Sequence, residues 1–245
     1  MWEEPFDYLL VPENPYRGLE PFTIKHTSVF FGRDDDIAAL TKRVRARPVV
    51  VVVGPSGVGK SSLVQAGLIP ALGESWSVVL VRPGQDPWLR LAAGLLRAQH
   101  GTGAKVSQAE CKEEIARLRA SGLEPVAEFL RSQDRQLLVV VDQFEEALAG
   151  DGGPDPALLD LLLPQAGRVV QAARVVLTLR ADYQPVLQSI PGFHPRLNDR
   201  LYLLSEAPHR FRTGDPIGFS PERTGEKCRG ESTTLRNSRN KLPRK

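Results

Sequence analysis

The sequence contains Gly54-Pro55-Ser56-Gly57-Val58-Gly59-Lys60-Ser61, which matches the pattern G-x-x-x-x-G-K-[ST] at every fixed position. A continuous β-branched run, Pro48–Val53, precedes it, and the apolar spacing behind it predicts a helix over Lys60–Leu72. Glycines at such a turn let backbone amides surround a phosphate, and the start of a helix favours negative charge there. The stretch therefore predicts a phosphate-binding loop between a buried strand and a helix.

Strands and helices alternate along the rest of the chain. Besides Pro48–Val53, strands are predicted at Ser77–Val81, Leu137–Val141, Ala173–Leu179 and Arg200–Leu204. Helices are predicted at Asp34–Arg47, Lys60–Leu72, from Asp86-Pro87 onward, from the capping box Ser107/Glu110 to about Ala120, and at Glu124–Ser132, Ala157–Leu163 and Asp182–Ser189. This alternation predicts an α/β fold of the P-loop NTPase type. We expect three α/β/α layers and a mainly parallel five-stranded sheet in the additional-strand order 5-1-4-3-2.

Loop and strand ends together predict a site for ATP with Mg²⁺. We expect nucleotide contacts from Gly54, Pro55, Ser56, Gly57, Val58, Gly59, Lys60, Ser61 and Ser62. Lys60 should reach the β- and γ-phosphates, and the Ser61 hydroxyl should ligate the metal. Asp142 directly follows the apolar strand Leu137–Val141, so its carboxylate should face the same crevice and serve as a second metal ligand.

The residues after Asp142 leave hydrolysis open. Gln143 stands where many such enzymes carry a glutamate, and an amide cannot accept a proton as a base. Glu145 or Glu146 can supply the catalytic carboxylate if the chain turns back into the crevice. Alternatively, both form the exposed first turn of a helix.

Arg180 ends the predicted fourth strand, in Leu177-Thr178-Leu179-Arg180-Ala181-Asp182. In the predicted strand order this strand lies between the two motif strands, so Arg180 can sense the γ-phosphate through a bidentate contact. The alternative is a surface arginine that pairs with Asp182.

With these residues in place, the chain resembles the bacterial signal-transduction ATPases with numerous domains, in the branch known as novel STAND NTPases. The resemblance rests on Asn14-Pro15-Tyr16-Arg17-Gly18-Leu19 with Phe22, on Phe31-Gly32-Arg33, on the phosphate loop, on Val141-Asp142-Gln143-Phe144-Glu145-Glu146 and on Leu179-Arg180-Ala181-Asp182-Tyr183. It implies a nucleotide-operated switch that exchanges ATP and ADP and can hydrolyse ATP slowly. It also implies that the protein associates with itself or with effector proteins. It also implies that Phe31, Gly32 and Arg33 lie near the base and ribose, and that Arg180 is a sensor.

Composition divides the chain into three predicted regions. Residues 1–30 contain Pro5, Pro12, Pro15 and Pro21 and predict an extended arm, residues 31–205 form the NTPase domain, and residues 206–245 form a basic, disordered tail. The tail carries ten Lys or Arg and five Asp or Glu, and it replaces the helical lid that the family usually has, as a truncated or frame-shifted end would.

Two rival functions remain at this level. One is a nucleotide-binding scaffold without turnover, which Gln143 and the unusual end favour. The other is a nucleic-acid-dependent ATPase or loader, which the basic tail suggests. Two cysteines and no long apolar run favour a cytoplasmic protein without a membrane segment.

Overall fold

Five parallel strands form the centre of the protein in a computed structural model, which describes residues 20–101, 103–149, 153–163, 173–189 and 200–206. The strands are β1 Val49–Gly54, β2 Trp76–Val81, β3 Gln136–Val141, β4 Ala173–Arg180 and β5 Leu201–Leu203. Their order in the sheet is β2-β3-β4-β1-β5, and every neighbouring pair is parallel. The predicted α/β fold and the order 5-1-4-3-2 are confirmed.

Helices cover both faces of this sheet. Their bounds are α1 Asp34–Ala46, α2 Lys60–Ser62, α3 Ile69–Leu72, α4 Pro87–His100, α5 Gln108–Ser121, α6 Glu124–Arg131, α7 Glu145–Leu148, α8 Pro156–Leu162 and α9 Gln184–Ser189. Short 3₁₀ helices span Ile24–Val29 and Ala181–Tyr183. The helix predicted after the loop is continuous, but Leu63–Leu68 between α2 and α3 is π-helical. We call residues 60–72 the phosphate-loop helix.

The alternating side chains of the strands divide the core into two halves. Val49, Val51 and Val53 pack in one cluster under α4, α6 and α8, whereas Val50 and Val52 pack in the other, under α1 and the phosphate-loop helix. All five valines are at most 1% exposed. A strand buried on both faces needs apolar residues at every position, which is why this run does not alternate with polar residues.

Two predicted helix starts, those of α4 and α5, are confirmed by their caps. The Asp86 carboxylate accepts a hydrogen bond from the amide of Leu89 at the start of α4, where Pro87 is the first helical residue. Ser107 and Glu110 form the reciprocal capping box of α5. Such caps satisfy amides that the first helical turn leaves without partners, so short local patterns were sufficient to locate them.

The described part of the predicted arm, residues 20–30, was expected to be extended, but it is not. It contains the 3₁₀ helix Ile24–Val29, which Thr23 and His26 cap reciprocally. Phe22 and Phe30 on either side are buried against the phosphate-loop helix side of the sheet. The proline argument fails here because no proline follows Pro21 in this stretch, and the two aromatic side chains gain more from burial than an extended chain allows.

Part of the organisation predicted from composition lies outside the described residues. This applies to residues 1–19 of the arm and to residues 207–245 of the basic tail. Within the ranges that the structure describes, no helix combines the length and the apolar character that crossing a membrane requires.

Candidate functional site

The phosphate loop connects β1 to the phosphate-loop helix in a backbone conformation that depends on its glycines. Gly57 and Gly59 have φ values of +78° and +93°, in the left-handed region that glycine adopts without strain. A Cβ atom on Gly54 would lie 2.8 Å from the Leu204 carbonyl oxygen and 2.9 Å from the Val58 side chain. Glycine is therefore required at Gly54 for close packing and at the other two positions for the turn.

Lys60 extends back along the loop. Its Nζ donates hydrogen bonds to the carbonyl oxygens of Gly54 and Pro55, at 2.9 and 2.8 Å. Burial lowers the pKa of Lys60, while the nearby Glu145 carboxylate opposes that shift. The ammonium group is thus held beside the loop, close to acidic groups that follow β3.

Asp142 meets the phosphate loop at the carboxyl end of β3, as predicted. Its Oδ1 accepts hydrogen bonds from the hydroxyls of Ser61 and Thr178, both at 2.7 Å. Its Oδ2 accepts a longer bond from Gln65 Nε2, at 3.4 Å, and lies 3.7 Å from the Arg82 guanidinium. The carboxylate is 3% exposed, and with Ser61 it offers the hard oxygen donors that Mg²⁺ prefers.

The two glutamates after Asp142 point to different partners. Glu145 Oε2 accepts a hydrogen bond from the amide of Arg180, at 3.3 Å, at the end of β4. Glu146 Oε2 accepts one from the amide of Gly84, at 2.9 Å, in the loop that follows β2. The chain does turn back, as one alternative required, but only Glu145 turns towards Lys60 and Arg180.

Arg180 lies where the predicted strand order puts it, since β4 runs between β3 and β1 and Arg180 pairs in register with Gly54. Its guanidinium forms a bidentate contact with Asp182, at 3.1 and 2.6 Å. That contact raises the pKa of Arg180 and lowers the pKa of Asp182. Both side chains are largely exposed, so the pair is open to competition from another anion.

Arg33 joins three separate segments around the loop. Its guanidinium donates to the carbonyl of Val58 within the loop, at 3.0 Å, and to the carbonyl of Ser205 behind β5, also at 3.0 Å. It also pairs with Asp36 in α1, at 2.9 Å. Gly32 before it has a φ of +78°, which turns the chain into α1. Proximity of Phe31, Gly32 and Arg33 to a base and ribose stays a prediction, whereas Arg33 does contact the loop.

Sequence reasoning missed three residues of the site: Gln65, Arg82 and Thr178. A signal existed for Thr178, because it is the one polar residue in the apolar run Val175–Leu179. Gln65 similarly interrupts an apolar stretch of the phosphate-loop helix. Arg82 carries no such signal, since arginines that follow strands are common on protein surfaces.

Comparisons with known proteins agree with this architecture. The family model Novel STAND NTPase 1 matches residues 15–211. No curated protein gives a significant match. Among solved structures, the chain is similar to the ORC2 protein of Aeropyrum pernix in its ADPNP-ADP complexes, with 17% identity, a TM-score of 0.50, and coverage of 72% of this chain and 48% of that one.

Two further structures are similar at lower scores. They are a Walker-type ATPase of Pyrococcus abyssi, with 18% identity, a TM-score of 0.48 and coverage of 76% and 56%, and Cdc6p of Pyrobaculum aerophilum, with 14% identity, a TM-score of 0.46 and coverage of 71% and 45%. The chain thus spans about half the length of these proteins. At such identities the ORC2 likeness shows the fold alone. The family match covers most of the sequence, and the chain therefore belongs to the Novel STAND NTPase 1 family of nucleotide-binding NTPase domains.

Proposed function

We propose that this chain binds ATP with magnesium at the Gly54–Ser61 loop and acts as the nucleotide-operated switch of a regulatory ATPase, with residues 31–205 as the switch domain. One observation carries the proposal. At the end of the loop, Ser61 Oγ lies 2.7 Å from Asp142 Oδ1, which directly follows β3, although 81 positions separate the two residues along the chain. The loop and the Asp142 carboxylate thus meet in one crevice, as a phosphate site with a metal-binding carboxylate requires.

Triphosphate binding is supported by the loop and by Lys60. An ammonium group has three N–H donors, and two of them go to the carbonyls of Gly54 and Pro55. The third can bond a phosphate oxygen while the loop stays as it is. Pro55, Ser56 and Gly57 at the tip of the loop are exposed, so the loop amides are accessible to a nucleotide.

Metal binding is supported by the donor set of Ser61 and Asp142. A hydroxyl and a carboxylate in contact suit a small, hard cation, which keeps its remaining positions for water and phosphate oxygens. Bound magnesium would neutralise negative charge on the phosphates. Asp142 would orient that ion from the β3 side, and Ser61 from the loop side.

Hydrolysis, in this proposal, depends on Glu145 rather than Glu146. The Glu145 carboxylate lies close enough to Lys60 to oppose the lowering of the Lys60 pKa by burial, and it adds a small part to the raised pKa of Arg180, which is due mainly to Asp182. Glu146 is engaged by the Gly84 amide on the other side of the turn. Glu145 would orient the attacking water, and Arg180 would leave Asp182 to stabilise charge on the γ-phosphate. The switch, in this proposal, is the change in which Arg180 leaves Asp182 and contacts the γ-phosphate.

Calorimetry with ATP, ADP and GTP tests the binding site. We expect Lys60→Ala to weaken ATP binding by at least tenfold, because a charged hydrogen bond to phosphate is worth about 1.5–3 kcal/mol. Lys112→Ala is the matched control, since Lys112 is exposed on α5, away from the loop. Equal ATP affinities for the wild type and Lys60→Ala would refute the site.

Measuring phosphate release distinguishes a switch with slow turnover from a scaffold that only binds nucleotide. The scaffold is the alternative that Gln143 favours. We expect Glu145→Gln to abolish release and Glu146→Gln to retain most of it, with ATP affinity preserved in both. If wild-type protein that binds ATP releases no phosphate above background, the scaffold is correct. Equal, measurable release by the wild type and Glu145→Gln would instead show that Glu145 is not the catalytic carboxylate.

A further inference from the structure

Thr178 places a polar group in the middle of the apolar strand β4. Its neighbours Leu177 and Leu179 are fully buried, and Thr178 itself is 1% exposed. A buried hydroxyl is costly unless it is hydrogen-bonded, and valine would fill the same space without that cost. The contacts of this hydroxyl therefore need an explanation.

The geometry determines which way the Thr178 hydroxyl bonds. The amide of Gln143 can only donate, so Thr178 Oγ1 accepts from it, at 2.8 Å. The single hydroxyl hydrogen is then donated to Asp142 Oδ1, at 2.7 Å. The Thr178 carbonyl accepts a third bond, from the amide of Phe144, at 2.9 Å. One residue of β4 thus holds three consecutive residues that follow β3.

These contacts lie where the chain leaves the sheet. The paired register of β3 and β4 ends at Val141 opposite Leu177, so Asp142 and Thr178 are the next residues on each strand. Gln143 then adopts a left-handed conformation with φ of +57°, which non-glycine residues rarely take. Thr178 holds both the carboxylate and the unusual turn behind it.

We propose that Thr178 is a positioning residue that orients the Asp142 carboxylate for the magnesium ion accompanying the nucleotide. The inference rests on the proposed function and deepens it. Rotation of the carboxylate about its terminal bond would break the hydrogen bonds that Oδ1 accepts from Ser61 and Thr178, so these bonds favour one orientation before nucleotide arrives. Partners that orient metal ligands in this way typically change metal affinity 10–100-fold when they are removed.

The test measures the affinity of a fluorescent, non-hydrolysable ATP analogue with magnesium and with EDTA. The ratio of the two affinities is the magnesium-dependent gain. We expect Thr178→Val to lower this gain about tenfold while the affinity in EDTA changes less than about twofold. Thr178→Ser keeps the hydroxyl and should restore the wild-type gain.

Thr41→Val is the matched control, because the Thr41 hydroxyl in α1 has no hydrogen-bond partner within the described part of the chain. It should leave both affinities unchanged. A wild-type gain in Thr178→Val would overturn the inference. So would an equal loss of affinity in magnesium and in EDTA together with a lower melting temperature, because Thr178 would then act only through the fold. No analogue binding by the wild type would instead refute the proposed function itself.

Discussion

Gln143 is the residue whose conformation is most constrained at the site. It combines a left-handed backbone with an amide bonded to Thr178, and it follows Asp142 directly, before the two glutamates. A left-handed residue other than glycine costs about 1–2 kcal/mol. The turn leads into α7, whose first two residues, Glu145 and Glu146, bond different amides.

Gln143→Gly should therefore stabilise the protein. Relief of the left-handed strain exceeds the extra chain entropy of glycine, about 0.5–1 kcal/mol, so we expect a net gain of about 0.5–1 kcal/mol in the free energy of unfolding. Urea denaturation measures it. Asp134→Gly is the comparison, since Asp134 also has a φ of +57° but lies at the other end of β3. It should gain less, because aspartate tolerates the left-handed region better than glutamine. A loss of stability in Gln143→Gly alone would mean that the glutamine side chain holds the turn.

Gly54→Ala should damage both stability and nucleotide binding. The new methyl group would meet the Leu204 carbonyl, a backbone atom that cannot move aside cheaply. We expect a loss of about 1–3 kcal/mol in urea denaturation and weaker ATP binding in calorimetry. Gly103→Ala is the control, because the added methyl group would meet nothing within 4 Å and φ there is not positive. Wild-type stability in Gly54→Ala would show that the loop repacks.

Among the elements, the phosphate-loop helix is the least regular. At the end of its π-helical segment, Leu63–Leu68, the Ile69 amide donates a hydrogen bond to the carbonyl of Val64, five residues earlier. This wider turn accommodates Pro70, which has no amide to donate. Gln65 lies in this segment, so the irregular helix contacts the Asp142 carboxylate twice, through Ser61 and through Gln65.

Helix α8 depends on one aspartate. Asp155 caps its first amides and accepts a hydrogen bond from Trp88 of α4, at 2.7 Å. Burial by itself raises the pKa of Asp155, but the hydrogen bonds from Trp88 and the α8 amides outweigh it and lower the pKa below the ordinary 3.8. The ionised carboxylate therefore joins α8 to α4.

Asp155→Ala should cost about 1–2 kcal/mol in stability near pH 7. A lowered pKa in the folded state means that the stabilisation is present above the unfolded value of 3.8 and is lost as pH falls through the folded value. The difference between wild type and variant in urea denaturation should shrink below pH 4. Glu113→Ala, which removes an exposed carboxylate of α5, is the control for general charge effects. A difference that does not change with pH would argue against the ionised cap.

At the scale of the whole molecule, segments distant in sequence close around the loop. The chain after β5 bonds back to β1 through the Leu204 amide and the Val53 carbonyl, at 2.7 Å. Arg33 then ties Ser205 and the loop to the start of α1. The loop therefore depends on the complete sheet, including its last strand.

Cys111 reports on the intact molecule because α5 packs it into the larger core cluster. Burial raises the pKa of its thiol, so less reactive thiolate is present at a given pH. In a Cys228→Ser variant, where Cys111 is the only cysteine, alkylation at pH 8 should be slow in buffer and fast in urea. The urea concentration at which labelling becomes half as fast as in the unfolded protein should coincide with the midpoint for the loss of helical circular dichroism. Rapid labelling in buffer would show that α5 opens separately from the core.

The strand order was predicted from the P-loop fold type, not from any local pattern. Local patterns in the sequence determined the phosphate loop, the buried strands and most helix starts. These follow from residues a few positions apart, such as the continuous valines of β1, the caps of α4 and α5, and the glycines before Lys60. Asp142 could also be predicted, since the carboxyl ends of parallel strands share one edge.

Only the tertiary structure decided which glutamate faces Lys60 and that Thr178 and Gln65 hold Asp142. It also showed that Arg180, whose place beside the loop the strand order predicted, pairs with Asp182 there. The physical reason is that the contacts of Asp142 and Glu145 join residues that are far apart along the chain. The Thr178–Asp142 bond joins residues 36 positions apart, and its existence depends on the exact register of two strands. The chain that follows β3 also passes through the left-handed turn at Gln143, which no periodicity in the sequence predicts.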